Sequence, residues 1–170
     1  MSTSVLIGYA TRYGSTREVA EEVATALQEN GFKADVLSMR EIKTISGYSA
    51  VVLGSPLFMF HLHKDVMRFL SRHRKALTER PVAFFVLGPV HEPHDEQEWK
   101  DSRNQLEKEL IKFPWFTPID LKIFGGKYDP SRLRFPLKLF AGSVPASDIR
   151  DWTVIRNWVR DLSARIKPSL

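Results

Sequence analysis

An apolar run, Ser4-Val5-Leu6-Ile7-Gly8-Tyr9-Ala10, passes without a spacer into Thr11-Arg12-Tyr13-Gly14-Ser15-Thr16, and that turn runs directly into a helical pattern. A buried strand that ends in a glycine- and hydroxyl-rich turn at a helix start leaves few folds open to the chain. It also carries chemistry. The N–H groups of the first helical turn have no partner within the helix, and that end of the helix is partly positive. Thr11, Ser15 and Thr16 add hydroxyl donors, and Gly14 lets the main chain approach a ligand closely. The turn reads as a phosphate pocket; the alternative is a plain helix cap, a task that Ser and Thr perform routinely.

The strand-then-helix pattern repeats to the end of the chain. Ser15 is placed to cap a helix with Val19, Val23, Ala26 and Leu27 on its apolar face, stopping near Asn30-Gly31. Phe32–Leu37 predicts a short strand, Met39–Thr44 a weak helical turn and Tyr48–Gly54 a buried strand. His63–Leu77 has helical spacing, Val82–Leu87 is a strand, and Gly88–Asp95 is a loop before a charged helix over Glu96–Lys112 with Leu106, Leu110 and Ile111 inward. Pro118–Gly125 predicts a fifth strand, and Trp152, Ile155, Trp158, Val159 and Leu162 mark a last helix capped by Asp151 or Asp148. Continuous apolar strands alternating with helices predict an α/β, flavodoxin-like doubly wound fold, with a five-stranded parallel sheet and helices on both faces. Ligands of such sheets sit at the C-terminal strand ends. At 170 residues the chain is expected to form a single domain over 1–170, with a basic-aromatic insert at about 127–145.

Composition narrows the chemistry. Zero cysteines exclude a disulfide frame, a thiolate metal site, an iron–sulfur cluster and a thiol nucleophile. No apolar stretch reaches membrane-spanning length and no signal-peptide pattern opens the chain, so a cytoplasmic location is expected. The net charge of +5 favours acidic partners or anionic surfaces, or serves solubility alone. The spaced glycines of the dinucleotide fingerprint and the Gly-Lys-Ser/Thr of the P-loop are missing. A receiver domain needs acidic residues where Thr11 and Ser55 stand.

Two further clusters fall at predicted strand ends. Gly54-Ser55-Pro56-Leu57-Phe58-Met59-Phe60 follows the third strand, where Phe58 and Phe60 suit the flanks of a flat heterocycle, or else pack on the next helix. Leu87-Gly88-Pro89-Val90-His91 follows the fourth strand and offers backbone groups with little side-chain bulk. A phosphate turn, an aromatic loop and a Gly-Pro turn at three strand ends resemble the flavodoxin-like FMN proteins. That resemblance implies phosphate contacts from Thr11, Arg12, Tyr13, Gly14, Ser15 and Thr16. It places Ser55, Pro56, Leu57 and Phe58 along one side of the isoalloxazine, and Leu87, Gly88, Pro89 and Val90 along the other. No side chain is expected to act as a catalytic residue or metal ligand, since the flavin carries the redox chemistry.

The segment Lys127–Pro145 breaks the alternation, interleaving Lys127, Arg132, Arg134 and Lys138 with Tyr128, Leu133, Phe135, Leu137, Leu139 and Phe140. With Phe124-Gly125-Gly126 before it and Asp151-Trp152 after it, the chain is similar to the flavodoxin-type, menaquinone-dependent protoporphyrinogen oxidases of bacteria. This resemblance implies a porphyrinogen-like organic substrate that reduces FMN and a quinone that reoxidises it. The sequence Gly-Pro-Val-His-Glu-Pro-His over 88–94 departs from that family in being more acidic and proline-rich, and the departure bears on the substrate. The insert Lys127–Phe140 suits an anionic membrane surface at the inner face of the cell membrane, a quinone approach or a carboxylate-bearing substrate. Its alternative is a solvated loop over the sheet edge. Nucleic acid has no accompanying motif. Two other functions remain open: an electron carrier docking on a redox partner, and an NAD(P)H-dependent quinone reductase. His61 with His63, and His91 with His94, lack a carboxylate pattern for a metal, and Glu92, Asp95, Glu96 and Glu98 read as a solvated helix start.

Overall fold

The computed structural model describes residues 3–59, 61–140 and 144–167, with the side chain of Phe140 set aside. Phe60, expected beside a flat ligand, and residues 141–143 of the insert lie outside the described residues. Strands β1 (Ser4–Tyr9), β2 (Lys33–Ser38), β3 (Ala50–Phe58), β5 (Val82–Leu87) and β6 (Asp120–Phe124) form a parallel sheet in the order β2-β1-β3-β5-β6. A two-residue strand, β4 (His61–Leu62), turns back antiparallel on β3. A separate ribbon pairs β7 (Lys127–Tyr128) with β8 (Ser147–Asp148), and a one-turn helix, α5 (Leu137–Phe140), lies between them in sequence.

The period of two along each strand assigns the two faces. Val5, Ile7, Val52, Ala83 and Phe85 point to one side, where α1 (Ser15–Glu29) and α6 (Trp152–Ile166) supply Val19, Val23, Leu27, Ile155 and Leu162. Leu6, Val51, Leu53, Phe84 and Val86 point to the other, toward α2 (Lys64–Arg72), α3 (Arg74–Thr78) and α4 (Glu96–Leu110). This is the doubly wound arrangement, and it leaves the β1, β3 and β5 C-terminal ends side by side.

Four local expectations are corrected. Met39–Thr44 forms a turn rather than a helix, with Met39, Ile42 and Ile45 buried. The Arg80 guanidinium satisfies the irregular backbone that follows, donating to the Ile45 carbonyl at 2.5 Å and the Tyr48 carbonyl at 2.8 Å. The helix expected over His63–Leu77 is two helices that break at His73, whose ring packs 4.5 Å from Phe69. Ile111 lies beyond the end of α4 and is 74% exposed, so it is not part of that helix's inner face. Trp152 is half-exposed and lies over the Arg150 guanidinium at 4.9 Å instead of entering the core.

Two imidazoles, buried His73 and partly buried His63, tie stability to pH. Burial holds His63 below the ordinary imidazole range of 6.5, although Asp65 partly offsets it. Burial, with Arg72 beside it, does the same for His73. On acidification the unfolded chain takes up these protons near pH 6.5, while the folded chain refuses them until lower pH. Stability is therefore full above about pH 6.5 and falls as the pH drops through the two folded-state values. Urea midpoints measured from pH 8 to pH 5 are expected to stay level down to about pH 6.5 and then decline. A midpoint that rises on acidification would contradict the burial of neutral imidazoles.

Candidate functional site

The first wall is the turn after β1. The Ala10 N–H still donates to the Gly54 carbonyl at 2.9 Å, after which the chain leaves the sheet. Gly14 takes a left-handed conformation, φ 96°, and donates its N–H to Thr11 Oγ1 at 2.9 Å. Ser15, expected as the cap, is instead the first helical residue, and no side chain caps α1. The first-turn N–H groups thus remain available to a ligand. Thr16 is fully buried and its Oγ1 has no hydrogen-bond partner, an arrangement that costs free energy until an acceptor meets it.

The second wall is not the loop expected after Gly54. β3 runs on to Phe58, in register with β5 as far as Pro56 opposite Leu87, and then reverses through Met59, φ 49°, into β4. Proline is tolerated there because strand pairing is ending. The Arg12 guanidinium lies 4.4 Å over the Phe58 ring and the Tyr13 ring meets it edge-on at 6.2 Å, so this hairpin is joined to the first turn. Ser55 is buried among its neighbours: its hydroxyl donates to the Pro56 carbonyl at 2.8 Å and accepts the His63 N–H at 3.4 Å. From behind, Glu109 holds the hairpin by accepting the Leu62 N–H at 3.3 Å, with His61 Nδ1 at 3.4 Å and Lys112 Nζ at 2.8 Å. Burial alone would push the Glu109 carboxyl up, but the bonds from Lys112, His61 and Leu62 outweigh it and hold the group below the usual range.

The third wall follows β5. A Cβ on Gly88 would stand 3.2 Å from Ser102 Oγ, so glycine lets α4 approach the strand end. Glu98 Oε1 accepts the Val90 N–H at 2.5 Å and the His91 N–H at 3.0 Å, while Oε2 meets His91 Nδ1. Glu98 is therefore a structural clamp, only 18% exposed, and the expectation of a solvated carboxylate is corrected. The Pro89 carbonyl is taken by the Gly126 N–H at 2.7 Å.

The insert supplies the fourth wall. Leu133 is buried, and Arg132 donates to the Tyr13 carbonyl. Arg150, with a side chain 4% exposed, binds Asp148 through Nε at 2.9 Å and Nη2 at 2.8 Å. Its Nη1 reaches Glu18 at 3.1 Å and the Ser15 carbonyl at 3.3 Å, fastening the ribbon to the first turn of α1. The Arg150 hydrogen bond holds the Asp148 carboxyl below the usual range.

Together these walls enclose a cavity of about 450 Å³, within the range of small-molecule sites. Arg12, Tyr13, Ser15, Pro56, Leu57, Phe58, Leu87, Gly88 and Val90 line it, whereas Thr11, Gly14, Thr16, Ser55 and Pro89 are not among its lining residues. Sequence reasoning missed other contributors, among them Asp95, Glu98, Asp101 and Ser102 on the α4 side and Asp129 on the other, while Met59, His91, Lys127 and Tyr128 line the cavity from the clusters and the insert already singled out. The α1 N-terminus and Arg12 make the β1 end positive, while Asp95, Glu98 and Asp101 lie beyond β3, on the α4 side. An anionic group at one end and a flat body between Phe58 and the 88–90 turn suit this shape.

The flavodoxin domain family matches residues 6–141. The chain belongs to that family. It is 26% identical over 171 residues to the protoporphyrinogen IX dehydrogenase (quinone) of Escherichia coli, with 93% of each chain covered. The protein of the same description from Leishmania major is 20% identical over 177 residues, covering 96% of this chain and 76% of that one. Among solved structures, oxidised flavodoxin 1 from Bacillus cereus superposes with a TM-score of 0.57 at 14% identity, with 99% of each chain covered. A flavodoxin from the domain Archaea gives a TM-score of 0.55 at 11% identity, covering 97% of this chain and 99% of that one. The flavodoxin domain accounts for the sheet order, and the family likeness drawn from Thr11–Thr16 and the insert agrees with these relatives.

Proposed function

We propose that the chain is an FMN-dependent oxidoreductase that takes electrons from a porphyrinogen-like substrate and passes them to a quinone. The observation that carries this reading is the fully buried, unpartnered Thr16 hydroxyl at an uncapped helix N-terminus whose first residue, Ser15, lines the cavity. Such a cradle fits a phosphate attached to a flat ring system. The relatives' names supply the chemistry of substrate and acceptor. Bound there, FMN supplies reversible uptake of two electrons with their protons.

In this reading the Ser15 N–H and the Thr16 hydroxyl meet the phosphate, and Arg12 and Tyr13 cover it. Pro56, Leu57 and Phe58 hold one face of the ring; Leu87, Gly88 and Val90 hold the other. Thr11, Gly14, Ser55 and Pro89 set the backbone of those walls. The insert has two jobs. Lys127, Tyr128, Asp129 and Leu133 close the cavity, while Phe135, 79% exposed, and Leu139, 70% exposed, project beside Arg134 and Lys138. Apolar side chains flanked by cations suit the surface of an anionic bilayer, from which a quinone is drawn. No helix among the described residues is long and apolar enough to cross a membrane.

The FMN-saturated protein, mixed anaerobically with protoporphyrinogen IX, is expected to lose its visible flavin absorption and to regain it when a quinone is added. Reduction by a protein reductase but not by the porphyrinogen would make the chain an electron carrier. Failure to retain FMN would remove both readings. Phe135→Ser/Leu139→Ser is expected to keep FMN and turnover with a water-soluble quinone, and to slow roughly tenfold with quinone in phosphatidylglycerol vesicles. Equal slowing in both formats would remove the membrane contact.

A further inference from the structure

A second cavity, about 460 Å³, lies beyond the 88–94 turn, at the C-terminal end of β6. Trp99 of α4, Lys122 and Phe124 of β6, and Asp151 and Val154 at the start of α6 border it. Among the described residues it shares a single lining residue with the first cavity, His91. That side chain therefore stands between the two, and it is 51% exposed, within reach of water.

Glu98 fixes the chemistry of the ring. A carboxylate can only accept, so the nitrogen that meets Glu98 Oε2, Nδ1, carries the hydrogen and Nε2 keeps a lone pair. Nε2 makes no hydrogen bond among the described residues. The same carboxylate holds the backbone on either side of the ring, through the Val90 and His91 N–H groups. The other carboxylates that line the first cavity already accept hydrogen bonds. Asp95 takes the Gln97 and Glu98 N–H groups, Asp101 takes Gln97 Nε2, and Asp129 takes the Ser131 N–H and hydroxyl. On the second cavity's side stand Glu92, Lys122, His94 paired with Glu96, and Asp151, which accepts the Val154 N–H.

A neutral imidazole with a free nitrogen takes up and releases protons near neutral pH, and a carboxylate behind it supplies the counter-charge while it holds one. We infer that His91 is the proton acceptor of the flavin site, with Glu98 as the residue that positions it and the second cavity as the way out to water. The inference rests on the flavin reading. Oxidation of a porphyrinogen-like substrate breaks a C–H bond at a bridge carbon and an N–H bond of a neighbouring pyrrole. The hydride from carbon passes to the flavin. The proton from nitrogen passes to His91 Nε2, and the electron pair left on nitrogen forms the new double bond. When a quinone takes the hydride, a proton returns along the same ring and completes the quinol.

The test follows the FMN-saturated chain by anaerobic stopped flow. His91→Gln is expected to bind FMN as the wild type does, and to be reduced as fast by dithionite, which presents no N–H proton for removal. Its reduction by protoporphyrinogen IX is expected to slow roughly 100-fold or more. His91→Ala is expected to regain part of that rate when imidazole is added, because the vacated space opens on the second cavity. In the FMN-free wild-type chain above neutral pH, the ring ¹⁵N shifts are expected to show hydrogen on Nδ1 and none on Nε2, and Glu98→Gln is expected to mix the two tautomers. Equal rates with the porphyrinogen for His91→Gln and wild type, a loss in His91→Ala that imidazole leaves untouched, or hydrogen on Nε2 in the wild-type ring overturns this inference and leaves the flavin reading standing. A wild-type chain that the porphyrinogen does not reduce overturns both.

Discussion

Replacing Gly54 by alanine is expected to cost the fold about 3 kcal/mol, the upper part of the range for overpacking a filled core. A Cβ at this position would stand 2.3 Å from Phe85 Cζ and 2.8 Å from the two neighbouring ring carbons. The ring cannot yield. Phe85 is fully buried, opposite Gly54 in the β3–β5 register, and lies against Phe124 at 5.9 Å and Trp158 at 6.0 Å between ring centroids. For a chain of this size such a loss lowers the melting temperature by roughly 6–12 °C. Gly47→Ala, whose added Cβ meets nothing within 4 Å, is the control and is expected to change little. Adding Phe85→Leu to Gly54→Ala is expected to recover part of the loss, because a shorter side chain vacates the contested space. Equal melting temperatures for Gly54→Ala and Gly47→Ala would mean that the ring does not press on the strand.

The same contact explains why β3 reaches the cavity at all. With Phe85 lying flat over Gly54, β3 and β5 stay paired up to Pro56 and Leu87, and the strand carries Leu57 and Phe58 past the edge of the sheet. Glu109 then pins the returning β4, so the aromatic wall is a braced hairpin and not a loop.

What was legible in the sequence follows from periodicity and local chemistry. Val82–Leu87 reads directly as a strand because both faces are buried and the run has no polar interruption. The phosphate-type turn is legible because its hydroxyls, its glycine and the helix start are contiguous. The extension of β3 was not legible. Gly-Ser-Pro is a turn signal by composition, and it is pairing with β5, Gly54 opposite Phe85, Ser55 opposite Val86 and Pro56 opposite Leu87, that keeps it extended. Glu98 was misread for a related reason, since acidic residues in a first helical turn serve the helix dipole equally well whether or not they also fold inward. Its partners, the N–H groups of Val90 and His91, carry no sequence signature. The insert's division into a cavity wall and an exposed tip depends on Arg132 reaching the Tyr13 carbonyl, 119 residues away in sequence. Spacing along the chain says nothing of such a contact.

Thr16→Val is expected to move two quantities in opposite directions. The side chain is fully buried and its hydroxyl lacks a partner in the protein, so valine, of similar shape, removes an unsatisfied polar atom. Apoprotein stability should hold or rise by about 1 kcal/mol. FMN affinity should fall roughly 10- to 100-fold, the worth of one hydrogen bond to a charged phosphate. Riboflavin, which has the ring without the phosphate, should bind the variant and the wild-type protein alike, as flavin fluorescence titration would show. A buried threonine that serves packing alone gives a different pattern: FMN and riboflavin respond together, or neither responds. An equal loss for the two ligands would move the phosphate away from Thr16 and take the main support from the flavin reading. The predicted combination is hard to obtain otherwise, because a variant that damages the turn weakens both ligands and the fold with them.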